Sequence, residues 1–243
     1  MGSAPEIIAP DYGEHNRLMD QAIKRIDKSG AYKDLSTIII IPAFGQIATK
    51  VVASWLNLFN PPNQKVFRMW AVGMEIGEAY SQALTNILAH PDLSNFKYVL
   101  TIEHDNIPQP DGIIKLLGDM EDHPEFDAVG GLYWTKGPAG VPQIWGDPHS
   151  AEVNFRPQKP ETGKIVECCG TGMGFTMFRL DMFKDERLRK PWFKTLQENG
   201  VMTQDLYFWQ DARAHGHRCA IDCDILVGHH DYAGSFGTPD KVW

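Results

Sequence analysis

Four isoleucines in a row, Ile38 to Ile41, preceded by Ser36 and Thr37 and closed by Pro42, constrain the fold of this chain more than any other feature. A continuous apolar run this short has neither a helical period nor a polar alternation. It fits a strand covered on both faces, as at the centre of a parallel sheet. The next segments repeat the logic. Residues 46–59 carry Ile47, Val51, Val52, Trp55, Leu58 and Phe59 at helical spacing, and the Asn60-Pro61-Pro62-Asn63 turn ends them. Strands are then expected at 66–72, 98–103 and 127–133, with helices at 75–90 and 110–121 between them. Helices interleaved with short buried strands mean βαβ crossovers and an α/β fold built on one central, mainly parallel mixed sheet flanked by helices.

The ends of the chain differ from this core. Residues 1–35 are polar, with an amphipathic stretch at Leu18, Ala22, Ile23 and Ile26 that predicts an N-terminal helical extension packed on the main domain, 36–243. After Trp134 the periodicity stops, and 134–163 is an irregular tract rich in Pro, Gly, Gln and Lys, of the kind that forms a binding or lid loop. Order returns with a strand at 164–168, a glycine turn at 170–174, a strand at 175–178, a helix at 203–215 and a strand pair near 218–228. No internal repeat is present, which argues for one domain.

Composition narrows the functions available. With 23 Lys+Arg against 31 Asp+Glu the net charge is −8, which disfavours nucleic acid as a primary partner because phosphate binding needs a concentrated basic face. No run approaches the roughly 18 apolar residues of a membrane span, and four cysteines fit a reducing compartment, so a cytoplasmic location is expected. Cys219 and Cys223, although close to His215 and His217, form no Cys-x2-Cys pair and read as small core residues rather than zinc ligands. P-loop and nucleophile-elbow motifs are both absent from the sequence.

Three places carry chemistry. The apolar strand from Tyr98 runs straight into Glu103, His104 and Asp105 before a proline-started helix. Ligands of open parallel sheets bind at the carboxyl ends of strands, and two carboxylates there can share a hard divalent cation or simply begin a surface turn. Asp205 falls in the first turn of its predicted helix behind Thr203, where an acid serves either the helix dipole or as a fixed general base. The apolar run at 225–228 ends in His229, His230 and Asp231, again at a strand end, where imidazole can ligate Mn²⁺ or remain solvated. Gly170-Thr-Gly-Met-Gly174 leads into a strand, so it is a tight turn or a close backbone approach to a ligand rather than a dinucleotide fingerprint.

Taken in order, these elements resemble the family 2 nucleotide-sugar glycosyltransferases of the GT-A fold, including small bacterial and viral versions, over about Thr37 to Asp231. The resemblance implies a nucleotide-sugar pocket from Pro42, Ala43, Phe44, Glu75, Tyr80, Glu103 and His104, and an Asp-x-Asp-like metal strand at 103–105. It also implies an acceptor wall from Trp134, Thr171, Gly172 and Gln204. Asp105 and His229 would then hold Mn²⁺ or Mg²⁺ directly, with Glu103 meeting the metal through water or touching the ribose, and Asp205 would be the base. Three positions depart from the family pattern: Glu103 for Asp, Gln204 for Glu, and Ala79-Tyr80-Ser81 for Ala-Arg-Asn. The implied activity is metal-dependent transfer, with inversion, of a sugar from a nucleoside-diphosphate donor to a carbohydrate or other hydroxyl acceptor. The alternative is a nucleotide-sugar or carbohydrate binding protein that keeps the fold without catalysis.

Overall fold

The computed structural model describes residues 34–62, 64–137, 139–150, 154–196 and 202–231, together with Arg17, Leu18, Gln21 and Arg25. The isoleucine run lies in strand β1, Thr37–Ala43, with every residue buried. Ile38 and Ile40 point into one hydrophobic layer and Ile39 and Ile41 into the other, so both faces of the sheet are covered. Helix α1, Thr49–Leu56, strand β2, Val66–Val72, helix α2, Ile76–Ala89, and strand β3, Tyr98–Ile102, follow as the alternation predicts. Then come β4, Asn106–Pro108, α3, Gly112–Asp122, β5, Ala128–Leu132, β6, Ile144–Trp145, β7, Ile165–Cys168, β8, Gly170–Thr171, β9, Phe175–Arg179, α4, Gln204–Ala214, and β10, Cys219–His229.

The main sheet runs β2-β1-β3-β9-β5-β10-β4, with β7 also on β10. Strands β1, β2, β3, β5 and β10 point one way and β4, β7 and β9 the other, so five of eight are parallel and the sheet is mixed. This is the mostly parallel α/β sheet flanked by helices that the sequence predicts, consistent with a GT-A-like fold. Tyr80, Leu84 and Ile87 of α2 and Phe208 and Trp209 of α4 fill one layer. Ile113, Leu116 and Met120 of α3 fill the other, with Trp55 of α1 packed against it. The aromatic centre of the first layer is dense: Trp209, fully buried, stacks on Phe178 at 5.9 Å and donates from Nε1 to the Thr171 carbonyl at 3.1 Å.

Three sequence expectations change. The strand pair near 218–228 is one strand of 11 residues. Its register shifts between Asp222 and Leu226, where the Asp224 N–H bonds Asp222 Oδ1 at 2.8 Å, and this bulge mimics a turn in the pattern. The glycine segment is not only a turn, because Gly170–Thr171 pairs with Ile144–Trp145 from inside the tract expected to be irregular. Two-residue strands are too short to show a period. Asn106–Pro108, expected as the approach to a helix, is a strand, and Pro108 is tolerated there because β4 lies at the end of the sheet. Of the expected leading helix, Leu18 is helical, as are Arg17, Gln21 and Arg25, whereas Ala22, Ile23 and Ile26 lie outside the described residues.

Arg25 pairs with buried Asp119 of α3, Nη2 to Oδ1, at 2.6 Å. Burial first, and then the charge of Asp222, push the Asp119 carboxyl up to about 8 against the pull of Arg25. A carboxyl raised on folding binds its proton more tightly in the native state. The stability linked to it is therefore complete below the ordinary carboxylate range and is lost as pH climbs from about 4 toward 8. Asp119→Asn cannot titrate, so thermal melts across that range are expected to fall less steeply with pH than those of the wild type. Parallel pH slopes for the two proteins would contradict the assignment.

Candidate active site

Glu103, Asp105 and His229 come together where β3 and β10 end. After β3, the chain turns at 103–106, closed by the Asn106 N–H to the Glu103 carbonyl at 3.0 Å, and immediately forms β4. Strand β4 runs antiparallel to the end of β10, with Asn106 opposite His229 and Ile107 opposite Gly228. The His230 N–H donates to the Asp105 carbonyl at 2.7 Å. This register sets Asp105 Oδ2 at 3.5 Å from His229 Nε2, both side chains largely buried. Residues 124 positions apart in the sequence (229 − 105) thus share one small volume.

The imidazole is held in a defined state. His229 Nδ1 lies 2.7 Å from the Trp134 carbonyl, which can only accept, so Nδ1 carries the hydrogen and Nε2 is turned to Asp105. The ring edge also packs on Tyr133 at 5.6 Å. On the carboxylate side, Lys136 Nζ reaches Asp105 Oδ2 at 2.5 Å, while Asp105 Oδ1 is buried with no hydrogen-bond partner. Burial alone would raise the Asp105 carboxyl, but the facing His229 side chain and the Lys136 ammonium outweigh burial and hold it well below the usual range.

Glu103 and Asp205 belong to the same neighbourhood. Burial, followed by the negative charges of Asp105 and Asp205, pushes Glu103 up to about 8, with Lys136 and the Tyr80 hydroxyl opposing. The Tyr80 hydroxyl donates to Glu103 Oε1 at 3.4 Å, and burial and then the Glu103 charge raise its own pKa. Asp205, in the first turn of α4, is raised by burial. Hydrogen bonds from the Thr203 hydroxyl, from the Leu206 N–H at 2.9 Å and from its own N–H oppose that rise. Its carboxylate also raises the Tyr133 phenol, which burial and Glu103 raise more.

The remaining predicted residues are distributed around this cluster. Pro42 and Ala43 are buried at the end of β1, and Phe44, 71% exposed, meets the His104 ring edge-on at 5.8 Å. Glu75 is engaged in structure: Oε2 caps α2 at the Gly77 and Glu78 N–H groups, and Oε1 accepts from the Thr195 hydroxyl. Tyr80 has no exposed surface and lies behind Glu103. Next to it, Ser81 bonds the Phe193 backbone, so the Ala79-Tyr80-Ser81 departure is occupied by packing. Thr171 is buried, and the Gly172 carbonyl accepts from the Thr176 hydroxyl at 2.7 Å. Gln204 and Trp134 are half-buried.

Tyr133, Asn106 and Lys136 are site residues not singled out in the sequence. Tyr133 directly follows β5, and the same strand-end rule that marks Glu103 could have marked it. Lys136 lies in the aperiodic tract and carries no local signal. A cavity of about 430 Å³ between α1 and the β2 edge, lined by Trp55, Leu56, Arg68 and Trp70 among others, includes none of the cluster. Among the described residues, no three His, Cys, Asp or Glu side chains gather closely enough to cage a metal by themselves.

No protein-family model matches this chain, and no curated protein matches it in sequence. Among solved structures it is similar to A197 from STIV, with a TM-score of 0.58 and 15% identity over 81% of this chain and 86% of that one. At that identity the likeness is a distant relationship of fold. Among the described residues, no helix is long and apolar enough to cross a membrane.

The glycine segment supports the cluster from below. The Gly174 N–H donates to the Tyr133 hydroxyl at 2.8 Å. A Cβ on Gly174 would lie 2.6 Å from Asn106 Oδ1 and 2.7 Å from Tyr133 Cζ. The backbone at Gly174 thus approaches the protein's own Tyr133 and Asn106, where an approach to a ligand was the expectation. Gly174→Ala is expected to cost about 1–3 kcal/mol in urea unfolding by overpacking. Unchanged stability would show that these contacts are slack.

Proposed function

We propose that this chain transfers a sugar from a nucleoside-diphosphate donor to an acceptor hydroxyl, at the crevice where β1, β3, β5 and β10 end. The observation that carries this is the approach of Asp105 and His229 to 3.5 Å from two different strand ends, with the imidazole oriented by the Trp134 carbonyl. A carboxylate oxygen and an imidazole nitrogen are a donor pair suited to Mn²⁺, and the unpartnered, buried Asp105 Oδ1 is an acceptor with coordinating capacity to spare. The pair fits a shared dication better than an all-protein cage, because the other positions must come from substrate oxygens and water. A dication bound there supplies Lewis-acid stabilisation of the departing diphosphate.

The chain's own residues do the rest. Asp205, fixed by the Leu206 N–H and the Thr203 hydroxyl and raised by burial, accepts the acceptor's proton. Attack opposite the leaving group then inverts the anomeric carbon. Glu103, which accepts from the Tyr80 hydroxyl, contacts a ribose or sugar oxygen or meets the metal through water, as the resemblance implies. Phe44 and His104 offer ring surface for the base, and Trp134 and Gln204 border the acceptor side.

A thermal-shift panel of UDP-, GDP-, CDP- and dTDP-sugars with Mn²⁺ is expected to reveal one stabilising donor and release of its nucleoside diphosphate. Asp205→Asn should lower transfer by about 10²–10⁴ while keeping donor affinity, the share a general base contributes. Asp105→Ala should lose metal-dependent donor binding. Full transfer by Asp205→Asn, or no stabilisation by any donor, would overturn the proposal.

A further inference from the structure

Lys136 and His229 both face the Asp105 carboxylate. Lys136 Nζ bonds the Asp105 oxygen that also faces His229, Oδ2, at 2.5 Å, and its side chain is 38% exposed, so the ammonium reaches in from the surface. The segment that carries it is pinned at its base. The Thr135 N–H donates to the Val141 carbonyl at 2.9 Å, the Val141 N–H donates to the Thr135 hydroxyl at 2.9 Å, and Trp134 pairs with Pro142. Trp134, two residues before Lys136, is the residue whose carbonyl orients His229. One short loop therefore sets the imidazole ligand and also places a competing cation on the carboxylate.

Resting on the proposed donor site, we propose that Lys136 is an internal competitor of the dication: it covers Asp105 until a donor diphosphate arrives, so that metal and nucleotide enter together. An ammonium seated at 2.5 Å on Asp105 Oδ2 opposes a dication on the same carboxylate, because the two like charges repel at that range. Apparent metal affinity is therefore reduced by the fraction of molecules in which Lys136 is seated. The diphosphate changes the balance, since its anionic oxygens offer the ammonium a new partner and the metal further ligands. By linkage, each of the two then tightens the other.

The test is Mn²⁺ binding to the full chain, followed by electron paramagnetic resonance of free Mn²⁺ without nucleotide and then with UDP, GDP, CDP or dTDP. Wild type is expected to bind Mn²⁺ alone weakly and much more tightly with the matching nucleotide. Lys136→Met is expected to bind Mn²⁺ alone about 10- to 100-fold more tightly, the range of a charge-assisted hydrogen bond in a partly buried site. Its affinity should also gain less from nucleotide, and Lys136→Arg should restore the wild-type pattern. If Lys136→Met and wild type bind Mn²⁺ alike while Asp105→Asn abolishes binding, the competitor role is overturned and the donor site stands. If Asp105→Asn binds Mn²⁺ and nucleotide as wild type does, the donor site itself fails, and the role of Lys136 with it.

Discussion

The antiparallel pairing of β4 with the end of β10 is the constraint on which the site depends. It is only three residues long, Asn106–Pro108 against Val227–His229, yet it fixes the backbone on both sides of Asp105. Without it, Asp105 would sit on a free turn and His229 at a solvated strand end. With it, two side chains far apart in the sequence face each other in a partly dry volume, where electrostatic interactions are stronger than in water. The long β10 makes this possible, because its first half pairs with β5 and β7 in the sheet and its last residues reach past the bulge to β4.

The two layers of the core serve the same end. Ile38 to Ile41 anchor both layers through one strand, and the β1 and β3 ends that present Phe44 and Glu103 inherit their rigidity from that anchoring. Trp209 ties α4 to the Thr171 carbonyl, and α4 carries Asp205 in its first turn. The 170–174 segment packs under Tyr133 and Asn106 without side chains of its own in the way. Glu103 and Asp105 thus sit on a short turn held between β3 and β4, where burial raises Glu103 while His229 and Lys136 lower Asp105.

Much of this was legible in the residues. Runs buried on both faces, such as Thr37–Ala43 and Tyr98–Ile102, carry a signal that no other element shares, and the strand-end rule points to Glu103, Asp105 and His229 from the sequence alone. Pairing was less legible. Strand β4 is three residues with a proline, and β6 and β8 are two residues each, below the length at which alternation can be seen. The bulge at Asp222–Leu226 broke the pattern of β10 and made one strand look like two. Tyr80 and Glu75 read as donor contacts by resemblance, and the packing around them gives Tyr80 a place behind Glu103 and Glu75 a helix cap. Lys136 was invisible because its relation to Asp105 is purely tertiary, across 31 positions and from a tract without period.

The central claim is that Asp105 and His229 jointly receive a cation bridging the donor's diphosphate. Crystals grown with Mn²⁺ and the nucleoside diphosphate that stabilises the protein, with anomalous data collected at the manganese edge, test it most directly. The account predicts one strong anomalous peak in contact with both Asp105 and His229 Nε2 and with phosphate oxygens. Bound nucleotide with manganese elsewhere, or with Lys136 still on Asp105 and no peak beside it, would contradict it.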